Sequence, residues 1–128
     1  MHIKYLSIDW GASRIGLATG DSENKIAIPF KVARDIKEVL AVIKEEEIDE
    51  IIIGQPIKMS GEKNNLTAGF NLFLESLKKK TALPIILVDE RLSSKGADAL
   101  FGTKKTKAKQ DAVAAMIILQ SYFDNLSV

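Results

Sequence analysis

Ile51-Ile52-Ile53, closed by Gly54, has no polar position on either side of a pleat. Successive side chains of a strand point to opposite faces, so a run like this suits a strand covered on both. Pro84 opens a second such run, Ile85-Ile86-Leu87-Val88, which reads as a second buried strand. Between the two, Leu66, Phe70, Phe73, Leu74 and Leu77 share one side of a helix from about Asn64 to Lys80. Ahead of the first, Ile36, Val39, Leu40 and Ile43 keep the same helical spacing, with Asp35 placed to cap them. Strands alternating with helices call for parallel strands joined by crossovers.

The first third of the chain has a different period. Ile3 to Asp9 reads as a strand, Trp10-Gly11-Ala12-Ser13 as a turn, and Arg14 to Thr19 as the return strand of a hairpin. Gly20-Asp21-Ser22 reads as a second turn. Ile26, Ile28, Phe30 and Val32 then alternate with Ala27, Pro29 and Lys31. Pro29 has no amide to donate, so this third strand belongs at a sheet edge. Later, Ser93 to Phe101 reads as a short helix. Gln110 to Asn125 reads as a longer one, apolar nearly all round from Ala112 to Leu119 and therefore well buried. The order βββαβαβαα predicts an α/β fold: a mixed five-stranded sheet with helices on both faces, in one domain of 128 residues.

Composition removes several function classes. With no cysteine there is no disulfide framework, thiolate metal site or thiol nucleophile. That agrees with a reducing compartment, and a cytoplasmic location is expected. The longest apolar run, Ala112 to Leu119, is too short to span a bilayer, and the N-terminus enters a strand pattern with no signal peptide, so no membrane partner is expected. The net charge of +1 conceals an uneven distribution. Residues 35–50 hold seven acids and two lysines; residues 91–110 hold Arg91, Lys95, Lys104, Lys105, Lys107 and Lys109 against Asp98. Such charges commonly form solvated surfaces, and a basic cluster also attracts a phosphate backbone.

In open α/β sheets ligands bind beyond the carboxyl ends of the strands. The first strand ends at Asp9, the fourth at Gly54-Gln55-Pro56 and the fifth at Asp89-Glu90-Arg91. If those strands are parallel neighbours, Asp9 and Glu90 meet at one edge. Asp111, at the start of the last helix, reaches the same place if that helix packs across the sheet. Three carboxylates in one cleft repel one another unless a cation joins them. Mg²⁺ favours such oxygens and keeps positions open for a substrate phosphate. Two such ions about 4 Å apart can activate a water and stabilise a leaving oxygen of a phosphodiester.

Each residue also has a plainer explanation. Asp9 before Gly11 suits a turn, Asp111 suits a helix's first turn, and only one of the adjacent Asp89 and Glu90 can enter the cleft, leaving the other to pair with Arg91. Gly11 and Gly16 suit a tight hairpin and close backbone packing. Arg14 suits solvent; in a metal–phosphate site it would bind a phosphate oxygen or hold Asp9. Lys104, Lys105, Lys107 and Lys109, just before Asp111, could clamp a nucleic-acid backbone. Trp10 and Tyr122 read as packing residues more than base-stacking platforms, though Trp10, beside Asp9, leaves stacking open. The long loop from Gln55 to Lys63 is a further functional candidate.

Four stretches carry a resemblance to a known family. They are I-D-W-G-A-S-R-I-G-L-A, I-I-I-G-Q-P-I-K-M-S-G, V-D-E-R-L-S-S-K-G-A and D-A-V-A-A-M-I-I-L-Q-S-Y-F, in that order from about Ile3 to Phe123. Together they resemble the YqgF (RuvX) family of bacterial RNase H-like proteins, described as pre-16S rRNA nucleases or Holliday junction resolvases. The first motif alone also resembles the phosphate hairpin of actin-like ATPases, a fold that needs a second related domain. The resemblance implies an RNase H-like fold, with a central first strand and the second and third strands antiparallel and outward. It also implies catalytic, metal-binding carboxylates at Asp9, Glu90 and Asp111, choosing Glu90 over Asp89, and basic motif positions at Arg14 and Arg91. Three departures bear on substrate fit: Gln55 replaces a usually apolar residue, Ser94 a threonine, and Trp10 is bulky for its place.

The expectation is therefore a Mg²⁺- or Mn²⁺-dependent endonuclease of ribosome biogenesis. Its partner would be structured RNA, with the 5′ end of precursor 16S rRNA favoured. The nearest alternative is a resolvase of four-way DNA junctions, whose paired cuts need a two-fold homodimer. A non-catalytic RNA-binding assembly factor is the third reading.

Overall fold

The computed structural model describes residues 2–55, 65–89 and 107–126. Glu90, Arg91, Lys104, Lys105, the helix expected over Ser93 to Phe101 and nearly all of the loop after Gln55 lie outside these residues.

Five strands form one sheet: β1 (Lys4–Trp10), β2 (Ile15–Asp21), β3 (Ile28–Ala33), β4 (Glu50–Gln55) and β5 (Ile85–Asp89). Their order is β3-β2-β1-β4-β5. The β1–β2 and β2–β3 pairs are antiparallel, whereas β1–β4 and β4–β5 are parallel. The mixed sheet, the central first strand and the edge position of β3 are as the sequence predicts. Pro29 sits on that edge beside a bulge, where Phe30 is the extra residue between Lys31 and Pro29 while their partners Leu17 and Ala18 are adjacent.

Helices α1 (Ile36–Glu45), α2 (Asn65–Lys80) and α3 (Lys107–Leu126) cover the sheet. Asp35 caps α1 with its Oδ1, which accepts from the Glu38 amide at 3.1 Å, and Glu38 Oε1 accepts from the Arg34 amide at 2.9 Å. The helix closes where Ile48 and Glu47 donate their amides to the Ile43 and Lys44 carbonyls. That closure needs a left-handed residue, and Glu47 takes φ 52° where glycine is usual.

The faces of the sheet follow strand parity. Leu6 and Ile8 of β1, Ile51 and Ile53 of β4, and Ile15 and Leu17 of β2 pack against Val39 and Val42 of α1 and Phe70, Phe73 and Leu77 of α2. On the other face Tyr5 and Ile52 pack against Ile118, Leu119 and Phe123 of α3. The isoleucine triad is thus buried from both sides, as its composition demands. Each such side chain contributes about 1.5–3 kcal/mol by burial, a large share of the roughly 5–15 kcal/mol net stability of a folded domain.

Two strand readings need correction. Gly20 lies inside β2, not in a turn, because Tyr5 pairs with Gly20 and Lys4 with Asp21. The turn follows, held by Asp21 Oδ1 accepting from the amides of Glu23 and Asn24. β5 is an edge strand, and Leu87 is 41% exposed, so it is not covered on both faces.

Candidate active site

Asp9 is half-buried near the end of β1. Alternation puts it on the face shared by Tyr5 and Ser7, which is the α3 face. Ser7 is fully buried, and its hydroxyl donates to the Ala115 carbonyl at 2.7 Å. One helical turn before Ala115 is Asp111. Two residues along β1 from Ser7 is Asp9, whose partner across the ladder is Gly16. The Asp111 backbone rests on Gly16: a Cβ there would run into the Asp111 carbonyl. These steps match in length, since two strand residues advance about 6.7 Å and four helical residues about 6 Å. α3 therefore runs antiparallel to β1, and its Asp111 arrives one strand over from Asp9.

Small residues on β2 permit this approach. Gly16, Ala18 and Gly20 alternate on the α3 face, with Ala18 opposite Ser7. A Cβ on Gly20 would lie 2.9 Å from both the Ile26 carbonyl oxygen and the Phe123 ring. Tyr5 steadies the far end of α3 edge-on, with ring centroids 5.4 Å from Phe123 and 5.7 Å from Tyr122. Burial and the nearby Glu50 carboxylate raise the pKa of both tyrosines above the ordinary 10.0.

Arg14 enters from the β1–β2 turn. Its Nε lies 2.9 Å from Asp111 Oδ2, and that oxygen is closed to solvent. The contact is ionic rather than a well-aligned hydrogen bond. The sequence suggested a phosphate oxygen or Asp9 as the partner of Arg14; the structure adds Asp111. The first-turn explanation of Asp111 also weakens. α3 begins at Lys107, so Asp111 is its fifth residue, past the first turn where the helix dipole acts most strongly.

This arrangement, two acids and an arginine gathered by β1, β2 and the start of α3, is joined by a sequence match. Residues 3–125 match the family described as "RuvX: Holliday junction resolvase". The chain belongs to the RuvX family. Similar curated proteins carry the name "Putative pre-16S rRNA nuclease". That of Maridesulfovibrio salexigens is 40% identical, over 94% of this chain and 97% of its own. That of Anaeromyxobacter sp. is 32% identical, over 95% and 97%. Among solved structures, T. thermophilus RuvC in complex with Holliday junction substrate has a TM-score of 0.69 at 14% identity, covering 98% of this chain and 96% of its own. The yeast mitochondrial Holliday junction resolvase Ydc2 has a TM-score of 0.57 at 10% identity, covering 93% and 77%. At these identities the likeness is one of fold.

In this RuvX protein the described structure gathers Asp9, Arg14 and Asp111. Asp9 and Glu90 cannot come from neighbouring strands, because β4 separates β1 from β5. Their strands are parallel and end on one side, about 9.6 Å apart at the usual strand spacing. Glu90 itself, with Arg91, Lys104 and Lys105, falls outside the described residues. Lys107 and Lys109 lie in the first turn of α3.

The donor chemistry fits a hard divalent cation. Asp9 and Asp111 offer carboxylate oxygens, the ligands Mg²⁺ and Mn²⁺ favour, and no thiolate or imidazole competes nearby. Among the described residues no group of three or more His, Cys, Asp or Glu side chains could hold a metal ion.

Trp10 faces away from this site. It packs against Phe70 and Phe73, with ring centroids at 6.1 and 6.4 Å, and fits over Gly69 of α2. Its bulk is matched by that glycine, and its role is packing. A cleft of about 260 Å³ lies beside it, lined by Ile36, Leu72 and Phe73 among others. Among the described residues no helix is long and apolar enough to cross a membrane.

Sequence reasoning missed Ser7, which reads as an ordinary small strand residue; only its burial beneath α3 reveals the tie to Ala115. The close backbone packing expected at Gly16 is found, and what it admits is the Asp111 backbone.

Proposed function

We propose that this RuvX protein is a divalent-metal-dependent endonuclease that cuts structured RNA, with the 5′ region of precursor 16S rRNA as its substrate. The observation that carries this reading is the seating of Asp111 on Gly16, the ladder partner of Asp9. It concentrates acids from two distant segments on one otherwise apolar sheet face. The relatives named for pre-16S rRNA support the substrate class.

In this proposal Asp9 and Asp111 hold the cation, and Glu90 supplies the third carboxylate. Glu90 enters on its sequence motif alone. A divalent cation bound there supplies Lewis-acid stabilisation of the charge that develops on a phosphodiester during hydrolysis. The chain supplies position. The Ser7–Ala115 bond and the Gly16 seat fix α3 against β1, so the carboxylates need little reorganisation before they act. Lys104, Lys105, Lys107 and Lys109, with Arg91, neutralise backbone phosphates and draw the strand toward the acids.

The test is cleavage of precursor 16S rRNA and of a four-way DNA junction, side by side, with Mg²⁺, Mn²⁺ or EDTA. The expected outcome is metal-dependent RNA cuts leaving 5′-phosphates. Asp9→Asn should lower the rate by about 10²-fold or more, because it removes charge where the transition state is stabilised, while the far-UV circular dichroism is unchanged. Full cleavage by that variant would refute the assignment. The family description and the RuvC-like fold favour junction cleavage as the second reading. Paired, symmetric cuts in the junction by a two-fold dimer, with RNA left intact, would establish it instead. RNA binding without turnover in any metal, unaltered by Asp9→Asn, would mark an assembly factor.

A further inference from the structure

Arg14 and Asp111 form an ion pair at the place where the proposed site needs a free carboxylate. The pair is lopsided: Asp111 Oδ2 is sealed from water, whereas the Arg14 side chain is 43% exposed. Arg14 Nε lies 2.9 Å from that sealed oxygen, where opposite charges attract strongly. A divalent cation on Asp111 would take up the same attraction and would repel the guanidinium at such short range.

We infer that Arg14 is a resident counter-ion of Asp111, holding the carboxylate in place until a divalent cation replaces it. The inference rests on the reading of Asp111 as a metal ligand. It adds that metal and Arg14 compete for one oxygen, so Arg14 opposes metal uptake while it supports the metal-free fold. Once released, Arg14 remains at the rim, because Gly11 and Arg14 close a tight turn. A Cβ on Gly11 would lie 2.7 Å from the Arg14 carbonyl oxygen. From that rim the planar guanidinium fork suits a substrate phosphate. Arg14 is thus a positioning residue in the metal-free protein and a phosphate contact in the loaded one.

The experiment is Mn²⁺ titration of the full chain, followed by electron paramagnetic resonance, for wild type, Arg14→Gln, Arg14→Lys, Asp9→Asn and Asp111→Asn. Thermal melting in EDTA and in saturating Mn²⁺ accompanies it. Loss of a partly exposed ion pair corresponds to a change of about two- to fivefold, so Arg14→Gln should bind Mn²⁺ tighter by that factor. Arg14→Lys, which keeps the charge, should stay near wild type. In EDTA Arg14→Gln should melt about 2–5 °C lower, and saturating Mn²⁺ should close that gap. A purely structural arginine would lower the melting temperature equally in both conditions and leave Mn²⁺ affinity unchanged or weaker; that result overturns the inference and leaves the metal reading standing. Mn²⁺ binding that is unaffected by Asp9→Asn and Asp111→Asn removes the metal reading, and the inference falls with it.

Discussion

The two faces of the sheet are built to different specifications. Toward α1 and α2, the strands present Leu6, Ile8, Leu17, Ile51 and Ile53, side chains that fill volume. Toward α3, β2 presents Gly16, Ala18 and Gly20, and β1 presents Tyr5, Ser7 and Asp9. Helix contact on the first face is cushioned by flexible apolar side chains. On the second, α3 meets backbone at Gly16 and a hydroxyl at Ser7, neither of which can yield. The first face holds the fold together, and the second sets where one helix lies to within a fraction of an ångström. Among the described residues, the two acids of the proposed site, Asp9 and Asp111, both belong to the second.

The largest test of this contrast is Gly16→Ala. One methyl group on the volume face is absorbed by side-chain adjustment; here it meets the Asp111 backbone, and no rotamer change relieves it. The expected destabilisation is about 3 kcal/mol, the upper end for overpacking, read from urea unfolding. The Arg14–Asp111 pair should separate as α3 lifts, weakening Mn²⁺ binding as well. A loss below about 1 kcal/mol with Mn²⁺ binding intact would show that the α3 face is as forgiving as the other.

A sharper comparison matches two changes of similar cost. Ser7→Ala removes a buried hydrogen bond, and Ile53→Val removes one buried methylene; each should cost about 1 kcal/mol. Only Ser7→Ala should also reduce cleavage, because it loosens the tie between β1 and α3. Equal effects on cleavage from the two variants would remove the distinction between the faces.

The smallest expected effect concerns alkaline pH. Tyr5 and Tyr122 have folded pKa values raised by burial and by Glu50. The fold thus favours their neutral form, and this contribution is complete below the unfolded value near 10.0. It is lost as pH climbs through the raised folded values. Melting temperature should therefore fall above pH 10 in wild type and fall less steeply in Tyr122→Phe. Identical slopes would mean that the hydroxyls at the far end of α3 are not sensed by the fold.

The volume face was the easier one to foresee. Ile51-Ile52-Ile53 declares its double burial by composition, Pro29 declares an edge, and Asp35 declares a helix start, because each rule is local. The same rules misplace Gly20, since a glycine that opens a turn and one that admits a phenylalanine ring look alike in sequence. They also overstate the burial of Ile85 to Val88. An apolar strand shows what it tolerates on its faces, and the order of parallel strands in a sheet decides what it receives. On the site, Asp9 was legible at the end of its strand. Its meeting with Asp111 was legible only on the condition that the last helix packs across the sheet, and the Arg14–Asp111 pair was not legible, because partner choice depends on how that helix settles on β2.

The placement of α3 bears on when the molecule becomes competent. Ribosomes build proteins from the amino end, so β1 and its Asp9 emerge early and α3 emerges last of the described elements. Until it docks, Ser7 and the glycine stripe face water, and Asp111 has no seat. A half-translated copy would thus carry one acid of the proposed cutting centre without its counterpart, and would be harmless to the RNA around it.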